Sequence, residues 1–139
     1  QVLDAGFPVE GLPGACAAIT ALIASGLPTD EFHFVGFLPV KSGRRNRELE
    51  RLQNLPTTLV LYESTYRIEK LIGELEARFP LQPVVVAREL TKKYENFYRG
   101  TPSIVLEAMK QGSLKGEFVV LIDNRPQRGA SNDGDDTTP

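Results

Sequence analysis

The sequence predicts an α/β fold in which helices flank a mixed β-sheet. Runs of β-branched and apolar residues recur along the chain, as in Val84-Val85-Val86-Ala87, and such runs are typical of strands buried on both faces of a sheet. Segments with apolar residues at helical spacing lie between these runs. Segment 94–99 follows residues 84–87 too closely for a parallel crossover, so the sheet is expected to contain an antiparallel pair.

The composition is that of one domain with a hydrophobic core. The chain has 139 residues, of which 41% are hydrophobic and 24% charged, with a formal net charge of −2. This balance argues against wholesale electrostatic binding of nucleic acid, although a local basic patch is still compatible with phosphate contacts. We assign residues 1–123 to the domain and residues 124–139, which have almost no apolar content, to a disordered tail.

The chain carries no signal peptide and no apolar run long enough to span a membrane, so we expect no membrane partner and a cytoplasmic location. Residues 1–6 have the pattern of the last turn of a helix closed by Gly6. Because no start of that helix is present, we interpret the chain as a fragment of a longer protein.

The first elements are predicted from residue type and from proline and glycine positions. Residues 7–12 are interpreted as a short strand, and 15–25 as a buried helix closed by Gly26. The small residues at the start of this helix would admit either another helix or a flat ligand laid against Ala17 and Ala18. Residues 32–38, rich in aromatic residues, are interpreted as a strand that ends at Pro39.

A basic segment opens the next helix. Five basic residues and two acidic residues between 41 and 51 give a local charge of +3, and Leu49, Leu52 and Leu55 recur at helical spacing. Cations at a helix start oppose the helix macrodipole, which suggests that they have another use. Two interpretations stay open, a solvated face and a contact with phosphates.

The second half of the chain continues the alternation. Strands are predicted at 57–62, 84–87 and 117–122, and a short edge strand at 94–99. An amphipathic helix is predicted from 68 to 79, with Ser64 or Thr65 as its N-cap. Thr101-Pro102 opens a further helix that closes at Gly112.

Common catalytic motifs are absent, so we looked for chemistry at strand ends. The sequence has no phosphate-binding loop, no nucleophile elbow and no metal-ligand spacing. Cys16 is expected to be a buried thiol, and the lone His33 makes a metal site improbable. Charged residues follow the strand at 84–87 directly, where α/β sheets usually bind ligands, although a solvated loop with paired Arg88 and Glu89 is an equal alternative.

A set of short motifs, in unbroken order over residues 1 to about 123, resembles one family. The motifs are Leu12-Pro13-Gly14-Ala15-Cys16-Ala17, 24–30, Gly36-Phe37-Leu38-Pro39, Gly43-Arg44-Arg45, Tyr62-Glu63-Ser64 with Arg67, 87–92, and Gly116-Glu117-Phe118-Val119. Together they resemble the tetrapyrrole methylase superfamily, and within it the enzymes that methylate small-subunit ribosomal RNA. Thr65-Tyr66 stands where Pro-His is usual in that family.

The resemblance implies the C-terminal domain of a two-domain enzyme, with S-adenosylmethionine bound between the domains and the N-terminal domain absent from this chain. The implied reaction is methylation of the 2′-hydroxyl of a cytidine in the decoding region of 16S rRNA. Implied partners are the small ribosomal subunit RNA, the missing domain and a second copy in a homodimer. Two alternatives stay open: methylation of a tetrapyrrole or other small substrate, and a non-catalytic dimerising or RNA-binding module.

The resemblance also assigns roles to individual residues. Ala17 and Ala18 correspond to small residues that pack on the cofactor, and Tyr62, Ala87 and Glu117 to strand ends that face the cleft. Arg88 and Glu89 are the candidates for the reacting centre, where we expect Glu89 to orient the substrate because an ion pair with Arg88 would make it a weak base. The candidates for contacts with RNA phosphates are Arg44, Arg45, Arg47, Arg67 and Lys92.

Overall fold

The computed structural model describes residues 1–126 and contains a five-stranded mixed sheet. The strands, in chain order, are β1 (Phe32–Phe37), β2 (Thr58–Ser64), β3 (Val84–Arg88), β4 (Asn96–Gly100) and β5 (Glu117–Asp123). Their spatial order is β1-β2-β5-β3-β4. The mixed sheet expected from the sequence is therefore confirmed.

The pairing brings three strand ends to one edge of the sheet. β1 is parallel to β2, while β5 runs antiparallel between β2 and β3, and β4 pairs antiparallel with β3. Consequently β1, β2 and β3 end, and β4 and β5 begin, along the same side. We call this side the carboxyl edge; Phe37, Ser64, Arg88 and Glu117 mark it.

Within residues 1–126, four helices cover the two faces of the sheet unequally. They are α1 (Ala17–Ser25), α2 (Ser42–Gln53), α3 (Ile68–Arg78) and α4 (Pro102–Lys110). Helices α2, α3 and α4 pack on one face and α1 on the other.

Alternate strand residues point to opposite faces, as the pleat requires. Val84 and Val86 belong to the core under α2, α3 and α4, whereas Val85 and Ala87 belong to the smaller core under α1. Both sets are almost completely buried, which explains why the strand reads as a continuous apolar run.

Helix α1 is covered on one side only, which corrects its prediction as a buried helix. Ala18, Ala21 and Leu22 are buried against the sheet, but Ile19 and Ile23 are 42% and 71% exposed. Gly26 ends the helix in the left-handed conformation, with φ 79°, as its position in the sequence predicted.

Four further expectations were wrong. Residues 7–12 form no strand and are exposed; Pro8 and Pro13 lack the N–H groups that a ladder needs. Cys16 is exposed, because it caps α1 instead of lying within it. The N-cap of α3 is Arg67, since β2 extends to Ser64 by pairing with β5.

The fourth concerns the predicted tail. Asn124, which we assigned to it, is buried, and its side-chain amide donates to the carbonyls of Leu52, Gln53 and Leu55 at 2.8–3.1 Å. The rest of the predicted tail from residue 127 lies outside the described residues.

Candidate functional site at the carboxyl edge

A pocket of about 530 Å³ opens at the carboxyl edge. Its apolar wall is formed by Ala17 from α1, Phe37 and Tyr62 from the ends of β1 and β2, Leu90 after β3, and Val119 from β5. Pockets of this size bind drug-sized ligands, and a mostly apolar wall with few polar groups is their usual lining. The position agrees with the rule that α/β sheets bind ligands beyond the carboxyl ends of their strands.

Tyr62 holds the apolar wall together. Its ring meets those of Phe34 and Phe37 edge to face, with centroids 5.1 and 5.7 Å apart. Its hydroxyl accepts a hydrogen bond from the backbone N–H of Ala18 at 3.1 Å, which fixes the start of α1 against the end of β2. The apolar wall beside Ala17 is therefore built by elements distant in sequence.

The five residues predicted to bind a cofactor fall into two groups. Ala17, Tyr62 and Glu117 line the pocket. Ala18 and Ala87 are buried in the core under α1, and Ala87 is in register with Val119, which is in register with Tyr62. Ala18 and Ala87 therefore pack beneath the pocket wall and do not line the pocket.

A second group of residues forms the rim where β3 ends. Glu89 and Thr91 have left-handed backbones, with φ 50° and 65°, a conformation that is costly for residues other than glycine. Glu89 exchanges two hydrogen bonds with Glu117: its N–H donates to the Glu117 carbonyl at 2.9 Å, and its Oε1 accepts from the Glu117 N–H at 2.8 Å. Lys92 Nζ lies 3.4 Å from Glu89 Oε1 and 3.0 Å from Glu117 Oε2.

These contacts set the charge states on the rim. The hydrogen bond from the Glu117 N–H, helped by Lys92, lowers the pKa of Glu89. The bond to the Glu117 carboxylate, with a smaller contribution from Glu89, raises the pKa of Lys92. Glu89 is thus held ionised as an acceptor, an arrangement that suits orientation better than proton abstraction.

Arg88 is not the partner of Glu89 that we expected. Its Nε donates to the carbonyl of Lys115 at 2.7 Å, and one terminal nitrogen donates to the carbonyl of Tyr94 at 3.5 Å. The Arg88–Glu89 pair of the solvated-loop alternative is therefore not formed, and Arg88 instead ties β3 to the segment before β5.

Beneath the pocket lies an ion network that sequence reasoning missed. Glu63, which lines the pocket, has a fully buried side chain whose Oε1 lies 2.9 Å from Arg67 Nε. Its Oε2 faces Arg45 Nη2 at 3.7 Å, and Arg45 Nε lies 2.7 Å from Glu74 Oε2. The four groups balance in charge. The Glu63–Arg67 pair could have been predicted from the sequence, since opposite charges four residues apart often pair.

The structure divides the residues predicted to contact RNA. The Arg45 side chain is 3% exposed and faces two carboxylates, so it does not belong to the surface cluster. Arg44 and Arg47 are exposed on α2, while Arg67 and Lys92 are 30% and 48% exposed at the carboxyl edge. These four remain candidates.

Thr65 joins two loops across the pocket. Its Oγ1 donates to the carbonyl of Gly116 and accepts from the N–H of Gly116, both at 2.8 Å. Gly116 has φ 128°, and a Cβ there would lie 2.7 Å from Glu89 Cγ. Both residues line the pocket and were not predicted.

Within residues 1–126, no cluster of three or more His, Cys, Asp or Glu side chains could hold a metal ion. In the same range, no helix has the length and apolar character needed to cross a membrane.

The family model for tetrapyrrole (corrin/porphyrin) methylases matches residues 1–104. The chain belongs to the tetrapyrrole methylase family. Among curated relatives, a protein of Halalkalibacterium halodurans named ribosomal RNA small subunit methyltransferase I is 39% identical over 92% of this chain and 44% of its own length. The protein of that name from Haemophilus influenzae is 39% identical over the whole chain and 49% of its own length.

Solved structures of tetrapyrrole methylases share the fold. A cobalt precorrin-4 methyltransferase matches 90% of this chain and 56% of its own, with a TM-score of 0.63 and 20% identity. A Thermus thermophilus uroporphyrin-III C-methyltransferase solved with S-adenosyl homocysteine matches 88% of this chain and 56% of its own, with a TM-score of 0.53 and 24% identity. The chain therefore spans about half the length of these proteins and of the curated relatives it matches.

Proposed function

We propose that this chain is the C-terminal half of an S-adenosylmethionine-dependent methyltransferase that methylates the 2′-hydroxyl of a cytidine in the decoding region of 16S rRNA. The observation that carries the proposal is the open apolar pocket at the carboxyl edge of a chain whose 39%-identical relatives are named ribosomal RNA small subunit methyltransferase I. An N-terminal domain, as found in two-domain members, would close the pocket from the other side.

The residues present fit this cofactor. The wall of Ala17, Phe37 and Tyr62 offers an aromatic and small-residue surface to an adenine ring. Glu117 lines the pocket with an exposed carboxylate that pairs with Lys92 at 3.0 Å and would also suit the ammonium group of the cofactor. When bound, the cofactor supplies a methyl group already activated by a positive sulfur.

The protein then has mainly to align the ribose hydroxyl with the methyl group and to exclude water from the site. Glu89 is ionised and fixed by the Glu117 backbone, so it orients donors on the substrate while its lowered pKa makes it a poor proton acceptor. Arg88 holds the neighbouring segment and so keeps the rim in place. The substrate ribose would lie against this rim.

The exposed cations provide the RNA contact. Arg44 and Arg47 on α2 project into solvent, and Arg67 and Lys92 stand beside the pocket. Phosphate neutralisation by such groups is the sequence-independent part of RNA affinity. Without the buried Arg45, four basic and two acidic residues between 41 and 51 leave a local charge of +2 in an otherwise acidic chain, which favours RNA over a small substrate.

The exposed face of α1 and the open pocket lead us to propose two further partners, the N-terminal domain of the same protein and a second copy in a homodimer. Exposed apolar surface such as Ile23 and Phe34 is usually covered by association. A cytoplasmic location follows from the ribosomal substrate.

The proposal is tested by mapping the methyl group. The longer protein that contains this chain is incubated with small ribosomal subunits and labelled cofactor, and the RNA is digested to nucleosides. The expected product is 2′-O-methylcytidine from the decoding region. Label on a base, or on a tetrapyrrole and not on RNA, would support the small-substrate alternative or a different RNA reaction.

A further inference from the structure

The segment between β2 and α3 holds an exposed tyrosine beside the pocket. Tyr66 lines the mouth of the pocket and is 95% exposed. In residues 1–126 it makes no hydrogen bond, ion pair or ring contact of its own. A large aromatic ring presented to solvent at the entrance of a binding site calls for a ligand that covers it.

The residues on either side of Tyr66 are fixed. Thr65 is joined to Gly116 by two hydrogen bonds of 2.8 Å. Arg67 is joined to the fully buried Glu63 at 2.9 Å, and its N–H donates to the carbonyl of Ser64 at 3.0 Å. The backbone that carries Tyr66 is therefore pinned to β2 and β5, and the loop does not need to be ordered when a ligand binds.

The surroundings define the chemistry of that ligand. The next residue in the sequence, Arg67, is a cation. Its Nε is bonded to Glu63, and its side chain is 30% exposed. Lys92 on the rim is 48% exposed, and its ammonium pairs with the carboxylates of Glu89 and Glu117. An exposed aromatic ring next to a cationic side chain is a pattern with which proteins bind single-stranded nucleic acid, since every base has a π-face and every nucleotide a phosphate.

We infer that Tyr66 is a stacking platform for a base of the single-stranded RNA substrate, adjacent to the nucleotide that is methylated. The inference rests on the proposed RNA methylation and adds to it a base-binding subsite. Tyr66 acts by positioning: stacking of a neighbouring base sets the ribose of the target nucleotide against Glu89 and the pocket.

The test is a double-substitution cycle between Tyr66 and the RNA bases. Fragments of the decoding region, each with one abasic nucleotide near the target cytidine, are titrated into the longer protein that contains this chain. The variants are Tyr66→Ala and Tyr66→Phe, with Phe32→Ala as the control. Phe32 is an exposed aromatic residue at the start of β1, at the end of that strand away from the pocket.

Stacking predicts that Tyr66→Ala weakens binding of intact RNA by about tenfold, while Tyr66→Phe and Phe32→Ala leave it nearly unchanged. Removing one particular base should weaken wild-type binding by a similar factor and cause no further loss in Tyr66→Ala. The salt dependence of binding should not change, because no charge is removed. The midpoint of thermal unfolding should also stay constant, since Tyr66 is 95% exposed.

Three results would overturn the inference. These are unchanged RNA affinity in Tyr66→Ala, losses that add fully at every abasic position, or a lowered unfolding midpoint, which would place Tyr66 in a domain contact. The proposed function fails separately: if the wild-type protein binds the decoding region no better than an unrelated RNA of equal length, both proposals are overturned.

Discussion

Arg45 Nε lies 2.7 Å from Glu74 Oε2, and this pair joins α2 to α3 inside the protein. Arg45 also faces the buried carboxylate of Glu63 at 3.7 Å. A cation with a 3% exposed side chain between two acids is a structural group, whereas its neighbour Arg44 is exposed to solvent.

Replacing Arg45 by methionine should therefore lower the free energy of unfolding by about 3 kcal/mol, since it leaves buried carboxylate charge without its partner. Arg44→Met, the matched control one residue away, should change it by less than about 0.5 kcal/mol. Urea unfolding of the two variants measures the difference. Equal effects would show that Arg45 is not the buried partner of Glu63 and Glu74.

Two glycines should respond oppositely to alanine. Gly116→Ala forces a Cβ to within 2.7 Å of Glu89 Cγ at a φ of 128°, so we expect a loss of stability of about 2 kcal/mol and a displaced Glu89. Gly73 lies inside α3 with no atom within 4 Å of its added Cβ, and alanine there should stabilise by about 0.5–1 kcal/mol. Thermal unfolding compares them; a stable Gly116→Ala variant would contradict the packing of the rim.

The rim should also carry a pH dependence. Because the folded-state pKa of Glu89 is lowered, chiefly by the Glu117 N–H, its ionised form stabilises the folded protein. That contribution is fully present above the ordinary glutamate pKa of about 4.3 and is lost as pH falls through the lower folded value. The stability difference between wild type and Glu89→Gln, measured by urea unfolding across this range, should shrink on acidification. A difference that grows towards low pH would contradict the assignment.

The mixed sheet was predictable because its strands and helices carry strong local patterns, such as the Val84–Ala87 run that alternates between two cores. The candidate site was less predictable, because contacts such as the one between Thr65 and Gly116 join residues 51 apart in sequence. The burial of Arg45 was also predictable from the sequence. Arg45 stands four and seven residues before Leu49 and Leu52, and this helical spacing puts it on the buried face of α2.

Because Arg45 is buried, only Arg44 and Arg47 remain as predicted contacts between α2 and RNA phosphates. Changing both to glutamate in the proposed two-domain protein should weaken RNA binding and reduce its log–log salt slope by about 0.7–0.9 per lost phosphate contact, with cofactor affinity unchanged. Binding of small subunits across a salt series measures both quantities. Glu50→Gln on α2 is a control, and an unchanged slope in the arginine variant would remove α2 from the RNA contact.

The most direct test of a cofactor pocket at the carboxyl edge is a calorimetric titration of S-adenosyl homocysteine into the proposed two-domain protein. Ala17→Leu places a larger side chain in the pocket wall, and Ala24→Leu makes the same change at an exposed position near the other end of α1. We predict that Ala17→Leu weakens binding by about tenfold or more, as overpacking of a site does, and that Ala24→Leu binds like wild type. Equal, undiminished affinity in both variants would contradict a cofactor site at this edge.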